Sequence, residues 1–73
     1  MTLYKTSTCA YCPIVMRYLD KLGAKYQVVD CTEDISLLEP AIKLSGAFSF
    51  PQVVAGDRVV VGYNAAQLAS LLS

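Results

Sequence analysis

The sequence predicts an α/β domain in which a mixed four-stranded sheet packs against three helices, in the order β-α-β-α-β-β-α. Two observations predict this class. A strand, a helix and a second strand follow one another near the N-terminus, which is typical of a βαβ unit with parallel strands. Further along, two valine-rich segments flank the pair Gly56-Asp57, which favours a two-residue antiparallel hairpin.

The first three elements follow from local hydrophobic patterns. A short strand is predicted at Thr2–Lys5, and a polar loop follows it. Apolar residues then recur with helical spacing over positions 14–22, and Gly23 ends this helix. Pro13 is best tolerated at the first helical position, which would make Cys12 the N-cap, so the start of the helix stays open. Segment 26–30 predicts the second strand.

The middle of the chain predicts a second helix over 34–45, closed by Gly46. Pro40 interrupts its hydrophobic pattern, and two starts are compatible with that. Either Ser36 and Glu39 form a capping box that puts Pro40 in the first turn, or the helix begins at Pro40 itself.

The last three elements form the second half of the sheet and its final helix. Strands are predicted at Gln52–Ala55 and Arg58–Val61, because both segments are rich in valine and meet at a hairpin turn. A last helix is predicted over 65–72, with Asn64 as its N-cap. The parallel beginning and the antiparallel end together give a mixed sheet.

Composition limits the classes of function. The chain has 73 residues, of which 55% are apolar and 16% charged, and its formal net charge is +0. We therefore expect one domain over residues 1–73 with a compact core, and we expect a monomer. The absence of a basic run argues against nucleic-acid binding, and no apolar stretch approaches a membrane span. The sequence has no secretory signal, so we expect a cytoplasmic protein whose thiols are kept reduced.

The stretch TSTCAYCPI carries the candidate chemistry, because Cys9 and Cys12 lie between the first strand and the first helix. A structural zinc site needs four nitrogen or sulfur ligands, yet the chain has no histidine and only Cys31 besides the pair, so we expect no metal site in a monomer. A secreted disulfide scaffold would use an even and denser set of cysteines. A redox-active dithiol is the favoured interpretation, ahead of an inert disulfide or buried core cysteines.

The predicted position of the pair assigns different roles to its two cysteines. The N-terminus of a helix carries partial positive charge, which stabilises a thiolate, so we expect the pKa of Cys9 to lie below the free value of about 8.5. Cys9 would then attack a disulfide, and Cys12 would resolve the mixed disulfide. Cys31 is expected at the same sheet edge. It is either a buried thiol without a role or an auxiliary, oxidisable thiol.

Two further residues near the motif have a functional and an ordinary interpretation. Pro51 stands at the head of a strand, either as a simple strand-start proline or as a cis-proline beside the dithiol. In the second case the backbone of Phe50 is free to pair with an incoming extended peptide. Tyr11 lies inside the motif, where we expect it to be exposed and to contact substrate.

The segments LYKTSTCAYC and SFPQVVAGDRVVVGY, together with the order of elements, resemble the glutaredoxins of the thioredoxin-fold superfamily over nearly the whole chain. This resemblance implies a minimal thioredoxin fold and a redox-active Cys9–Cys12 disulfide, with no bound cofactor. It also implies that Pro51 is the cis-proline of the family. Glutaredoxins typically carry C-P-Y-C, so Tyr11 matches while Ala10 replaces the proline.

Three departures from the glutaredoxin pattern weaken specificity for glutathione. Thr6 stands where many members have a lysine for a glutathione carboxylate, and Phe50 is bulkier than the usual residue before the cis-proline. Gly62 matches the first of two glycines that bind the γ-glutamyl end, but Tyr63 does not match the second. The resemblance implies these substrate-binding residues: Thr6, Tyr11, Phe50, Pro51, Gly62 and Tyr63.

The segment PQVVAGDRVVVGY is more similar to the NrdH redoxins, which take electrons from thioredoxin reductase and reduce ribonucleotide reductase. Two electron donors therefore stay open, thioredoxin reductase and glutathione, and the first is favoured. We predict a thiol–disulfide oxidoreductase that reduces a protein disulfide, with ribonucleotide reductase as one candidate substrate. The alternative is a glutaredoxin-type iron–sulfur carrier, in which Cys9 from two chains and two further thiol ligands hold the cluster.

Overall fold

The computed structural model describes residues 1–72 and contains the predicted elements in the predicted order. The strands are β1 (Thr2–Lys5), β2 (Gln27–Asp30), β3 (Gln52–Ala55) and β4 (Arg58–Val61). The helices are α1 (Cys12–Lys21), α2 (Glu39–Ser45) and α3 (Ala65–Ser70), and a 3₁₀ turn at Ile35–Leu38 leads into α2. No helix among these described residues has the length and apolar character that crossing a membrane requires.

The four strands form one mixed sheet in the order β2-β1-β3-β4. β1 pairs with β2 in parallel and with β3 antiparallel, and β3 and β4 form the predicted hairpin. Because successive side chains of a strand point to opposite faces, the central strand β1 contributes to two cores. Leu3 packs with Val15 and Leu68 on one face, while Tyr4 packs with Leu38 on the other.

Helix α1 begins one residue earlier than the assignment of Cys12 as N-cap implied. Tyr11 is the N-cap and Cys12 the first helical residue, with Pro13 next. Proline is tolerated at this second position because the first N–H groups of a helix have no intrahelical acceptor to lose. The N–H of Val15 donates to the carbonyl of Tyr11 at 3.0 Å, which closes the first turn.

The capping box proposed around Ser36 does not form. Asp34 caps the 3₁₀ turn instead, and its carboxylate accepts the N–H of Ser36 at 3.1 Å. Helix α2 then starts at Glu39, so the start proposed at Pro40 is wrong by only one residue. Gly46 ends α2 as predicted, in the left-handed conformation with φ 71°, which glycine adopts without steric cost.

The remaining boundaries lie close to the predicted ones. β2 begins at Gln27, one residue after the predicted start. Tyr26 itself donates its hydroxyl to Asp20 Oδ1 of α1 at 2.9 Å. α3 ends at Ser70, two residues before the predicted end. Asn64 is its N-cap, as predicted, and accepts the N–H of Gln67 at 3.0 Å.

Candidate active site

The strand directions bring four loop segments to one edge of the sheet. β1 and β2 run in parallel, so the segments that follow them leave from the same edge. β3 runs the opposite way, with Gln52 opposite both Tyr4 and Val61. The residues at this edge are therefore the motif after β1, Cys31 after β2, Pro51 before β3 and Gly62 after β4.

Cys9 and Cys12 are joined by a disulfide, with their Cα atoms 5.5 Å apart. The two sulfur-bearing residues differ sharply in exposure. Cys12 is 1% exposed, whereas Cys9 is half-buried and Tyr11 beside it is 57% exposed. An incoming molecule therefore reaches the side of the pair that Cys9 occupies, which is the asymmetry that the predicted attacking and resolving roles require.

Helix α1 provides an electrostatic environment for the pair. Cys12 is its first residue, and Cys9 lies three residues ahead of it. The first turn of α1 contains no acidic residue, so no carboxylate of this turn offsets the partial positive charge of the helix N-terminus. This is the environment in which a thiolate is stabilised.

The segment ahead of Cys9 is held by a residue that sequence reasoning missed. The N–H of Ser7 donates to Thr32 Oγ1 at 2.8 Å, which connects the motif loop to the segment after β2. The N–H of Cys9 donates to the carbonyl of Thr6 at 3.3 Å, so the loop also turns back on itself. Thr6 is half-buried behind this turn.

Asp30 in turn orients Thr32. Its carboxylate accepts the N–H of Thr32 at 2.9 Å and also the hydroxyl of Thr32. The hydrogen bond from the Thr32 hydroxyl is the largest cause of a lowered pKa at Asp30, and the bond from the Thr32 N–H comes second. The positive charge of Lys5 lowers the pKa of Asp30 further. An aspartate two residues before a threonine is a known turn-forming pattern, and this signal could have identified the pair.

Pro51 follows a cis peptide bond with Phe50, which is the conformation that the functional interpretation required. The same proline also directly precedes β3, so its position agrees with the ordinary interpretation as well. Pro51 is fully buried, and Phe50 is half-buried against the core around Tyr4. The N–H of Gly62 donates to the carbonyl of Pro51 at 2.8 Å, which joins these two predicted site residues.

Tyr63 extends the site along α1. Its ring packs edge-on against Tyr18, with centroids 5.9 Å apart and planes at 88°. The Tyr18 hydroxyl donates to the carbonyl of Ala65 at 3.3 Å and so ties the start of α3 to α1. Tyr63 is 45% exposed, and a cleft of about 190 Å³ beside it is lined by Ile14, Arg17, Tyr18, Lys21 and Tyr63.

Cys31 lies at the same edge but in a different environment. Its N–H donates to the carbonyl of Lys5 at 2.8 Å, and the residue is 2% exposed in the core with Tyr4 and Leu38. Burial raises the pKa of the Cys31 thiol, and the charges of Asp30 and Asp34 raise it further. The burial of Cys31 agrees with its interpretation as a buried thiol, and the auxiliary, oxidisable role stays a prediction.

Gln52 is the other residue that the sequence did not reveal. Gln52 is completely buried, although it is polar and the residues after it in β3 are valines. Its side-chain amide forms hydrogen bonds to the segment that precedes Pro51. A single polar residue at the head of a strand gives no indication of such a role.

Comparison with known proteins gives consistent matches. The family model described as Glutaredoxin matches residues 1–60. A glutaredoxin from Ricinus communis is 34% identical over 65 residues, which is 85% of this chain and 64% of that protein, so the chain spans less than two thirds of this relative's length.

Two solved structures resemble the chain over most of its length. The crystal structure of a glutaredoxin from Archaeoglobus fulgidus has a TM-score of 0.85 and 32% identity, covering 97% of this chain and 83% of that chain. The glutaredoxin-like protein NrdH-redoxin from Escherichia coli has a TM-score of 0.78 and 21% identity, covering 96% and 91%. At this identity the second likeness speaks for the fold alone.

Proposed function

Because this chain belongs to the glutaredoxin family and has its thioredoxin fold, we propose that it is a thiol–disulfide oxidoreductase that reduces protein disulfides through Cys9 and Cys12. One observation supports this function most directly. The two cysteines form a disulfide at the start of α1, and the accessible Cys9 stands in front of the buried Cys12.

In the first step the Cys9 thiolate attacks one sulfur of the substrate disulfide. The substrate S–S bond breaks, a new bond joins Cys9 Sγ to the attacked sulfur, and the other substrate sulfur leaves as a thiolate that takes up a proton. The positive end of α1 supports this step, because it favours the thiolate over the thiol at Cys9.

In the second step Cys12 resolves the mixed disulfide. Its thiol loses a proton, attacks Cys9 Sγ and displaces the second substrate sulfur, which is released as a thiol after protonation. Two electrons have then passed from the dithiol to the substrate, and the protein is left with the Cys9–Cys12 disulfide that the structure contains. The burial of Cys12 supports this order, since an external disulfide has little access to it.

The surroundings of Cys9 support binding of an extended peptide. We propose that the backbone of Phe50 forms hydrogen bonds with the extended main chain of the substrate next to the substrate's disulfide. In this binding mode main-chain groups provide affinity. The remaining contacts would come from residues around the same edge: Thr6, Tyr11, Pro51, Gly62 and Tyr63.

For the electron donor we propose thioredoxin reductase, with glutathione as the alternative. The NrdH-redoxin that shares this fold is described as having a thioredoxin-like activity profile. The threonine at position 6 and the tyrosine at position 63 support the same choice, because neither supplies the glutathione contact expected of that position. A reducing compartment such as the cytoplasm would suit this cycle, and ribonucleotide reductase is one candidate substrate.

The exchange activity is tested without any donor. The protein is reduced with dithiothreitol, the reagent is removed, and the stoichiometric dithiol is mixed with insulin as a disulfide-bonded model protein. We expect one insulin disulfide to be reduced for each Cys9–Cys12 disulfide formed, as followed by mass spectrometry of alkylated products. A reduced protein that leaves insulin unchanged would rule out the proposed function.

The donor is tested separately on the oxidised protein. NADPH with thioredoxin reductase is compared with NADPH, glutathione and glutathione reductase, using NADPH consumption in the presence of insulin. Faster turnover with thioredoxin reductase is expected, and faster turnover with glutathione would reverse the choice of donor. The cluster-carrier alternative predicts visible absorbance after anaerobic reconstitution with iron and sulfide.

A further inference from the structure

The segment 46–51 connects α2 to β3 and carries the cis peptide bond of Phe50 and Pro51. It has no regular secondary structure, and Phe48 within it is 71% exposed. Taking the proposed function as given, we infer that the buried side chain of Gln52 is a positioning residue, which holds the backbone of Phe50 in the orientation that receives the substrate peptide.

Three hydrogen bonds of the Gln52 amide carry this inference. Its Nε2 donates to the carbonyl oxygens of Ala47 and Ser49, each at 2.9 Å. Its Oε1 accepts the Ser45 hydroxyl at 2.8 Å. Both amide protons and one acceptor position are therefore used, although the residue is completely buried.

The contact with Ser49 acts directly on the peptide-binding group. The carbonyl of Ser49 and the N–H of Phe50 belong to one peptide unit, which is planar and rigid. A hydrogen bond that fixes the direction of the Ser49 carbonyl therefore also fixes the direction of the Phe50 N–H, which is one of the main-chain groups available to an incoming strand.

Gln52 can hold this segment because its own backbone is fixed on both sides. It pairs with Tyr4 of the central strand β1 and with Val61 of β4. The side-chain amide of Gln52 therefore connects the rigid sheet to a loop that lies outside the hydrogen-bonded strand pairs.

Ser45 completes the arrangement at the other end of the segment. Its Oγ accepts the N–H of Ala47 at 3.1 Å and lies 3.0 Å from the carbonyl of Ala41 and 2.8 Å from Gln52 Oε1. Its single proton can serve only one of these two acceptors at a time. We therefore expect Ser45 to contribute less to the position of the loop than Gln52.

The arrangement predicts a separation between two reactions of the same cysteine. The motif loop that carries Cys9 is tied to Thr32 through the N–H of Ser7, whereas the Nε2 of Gln52 donates to the segment before Pro51. Loss of the amide should therefore weaken exchange with a peptide disulfide, which needs the Phe50 backbone, but not alkylation of Cys9 by iodoacetamide, which does not.

The test compares Gln52→Met with Gln27→Met, in which an exposed glutamine of another strand is changed in the same way. We expect the rate constant for insulin reduction by the pre-reduced Gln52→Met protein to fall about tenfold, because a bound backbone group is no longer pre-oriented. The iodoacetamide rate of Cys9 should change less than about twofold. Gln27→Met should match the unmodified protein in both reactions.

Two further measurements keep the inference falsifiable. Ser45→Ala should slow insulin reduction in the same direction but less, and it decides the outcome if Gln52→Met does not fold. Amide hydrogen exchange of Phe50 should be faster in either variant, and this measurement does not depend on the protein being a reductase. Unchanged insulin kinetics in a folded variant, or equal losses in both reactions of Cys9, would overturn the inference.

Discussion

Cys9 and Cys31 occupy comparable places in the sheet, yet the structure gives them opposite environments. Each follows one of two parallel strands and lies at the same edge, where the N–H of Cys31 bonds to the last residue of β1. Cys9 is half-buried ahead of a helix whose first turn has no acidic residue. Cys31 is 2% exposed and flanked by Asp30 and Asp34.

The comparison shows that a position at this edge of the sheet does not by itself determine the environment of a cysteine. What differs is the segment that follows each strand. After β1 the chain leads into a helix N-terminus, which favours a thiolate, whereas after β2 it turns under α2 and buries the thiol next to carboxylates. We therefore expect the two cysteines to differ in reactivity, because they differ in solvent access and in local charge.

The largest effect should be the difference between the variants that lack Cys9 and Cys31. Cys9→Ser replaces the attacking sulfur with a hydroxyl that is not ionised at neutral pH, so we expect disulfide reduction to fall at least about a hundredfold. Cys31→Ala should keep the rate within about twofold, because its burial limits the access of a substrate disulfide to this thiol. Insulin reduction by the pre-reduced proteins measures both, and a similar loss in the two variants would remove the distinction between these cysteines.

Cys12→Ser tests whether the buried partner resolves the intermediate. Without a second sulfur the mixed disulfide between Cys9 and substrate cannot be displaced from within, so we expect it to accumulate to near stoichiometry. Non-reducing electrophoresis and mass spectrometry measure the adduct, and the Cys12→Ser, Cys31→Ala double variant is the control. Little adduct in Cys12→Ser that is restored in the double variant would show that Cys31, despite its burial, reaches and resolves the intermediate.

The next effect is a difference in alkylation between the cysteines of the reduced protein. We expect the pH dependence of Cys9 alkylation by iodoacetamide to give an apparent pKa below about 8.5, because the helix N-terminus stabilises the thiolate. The raised pKa of Cys31 keeps that thiol protonated at neutral pH, and its burial blocks the reagent, so we expect its alkylation to be slower by at least about tenfold. Peptide mapping after timed quenching separates the sites, with a urea-unfolded sample as control. Equal rates in the folded protein would contradict the contrast.

Local sequence signals were sufficient for most of the fold. The strands on either side of Gly56 were predicted to the residue, because turn chemistry and valine content both act within the hairpin itself. The sequence left the start of α1 open by one residue, because the first turn of a helix tolerates proline at more than one position. In the structure Pro13 is the second residue of α1. The second helix was less predictable, because Asp34 competes with Ser36 as a capping residue.

The candidate site was predictable only where a motif carries it. The Cys9–Cys12 pair follows from a motif that is contiguous in sequence. The residues alone leave the bond before Pro51 open, and the resemblance to glutaredoxins implies the cis conformation that the structure contains. The burial of Cys31 depends on packing under Leu38, and the role of Gln52 depends on carbonyl groups of the preceding loop. Such contacts are set by tertiary structure, so no pattern in the sequence predicts them.

A smaller effect concerns stability at alkaline pH. The folded protein holds the proton of Cys31 to a higher pH than the unfolded chain, because burial raises the pKa of this thiol. This contribution to the free energy of unfolding is complete below the unfolded pKa of about 8.5 and is lost as pH rises from there through the folded pKa. Urea unfolding of the oxidised protein between pH 7 and pH 10 should show a decline that is shallower in Cys31→Ala. Parallel declines would assign it to other groups, such as Tyr26, whose pKa is also raised by burial.

The smallest effect should come from Asp30→Asn, which changes the charge beside Cys31 but not its burial. Burial is the largest cause of the raised Cys31 pKa, and the charges of Asp30 and Asp34 come second. We therefore expect the pKa of Cys31 in the variant to move down only slightly and to stay above its ordinary value. The pH dependence of Cys31 alkylation measures this, with Asp57→Asn in the hairpin turn as a matched control. A fall of the Cys31 pKa to about 8.5 would mean that carboxylate charge, and not burial, separates the two cysteines.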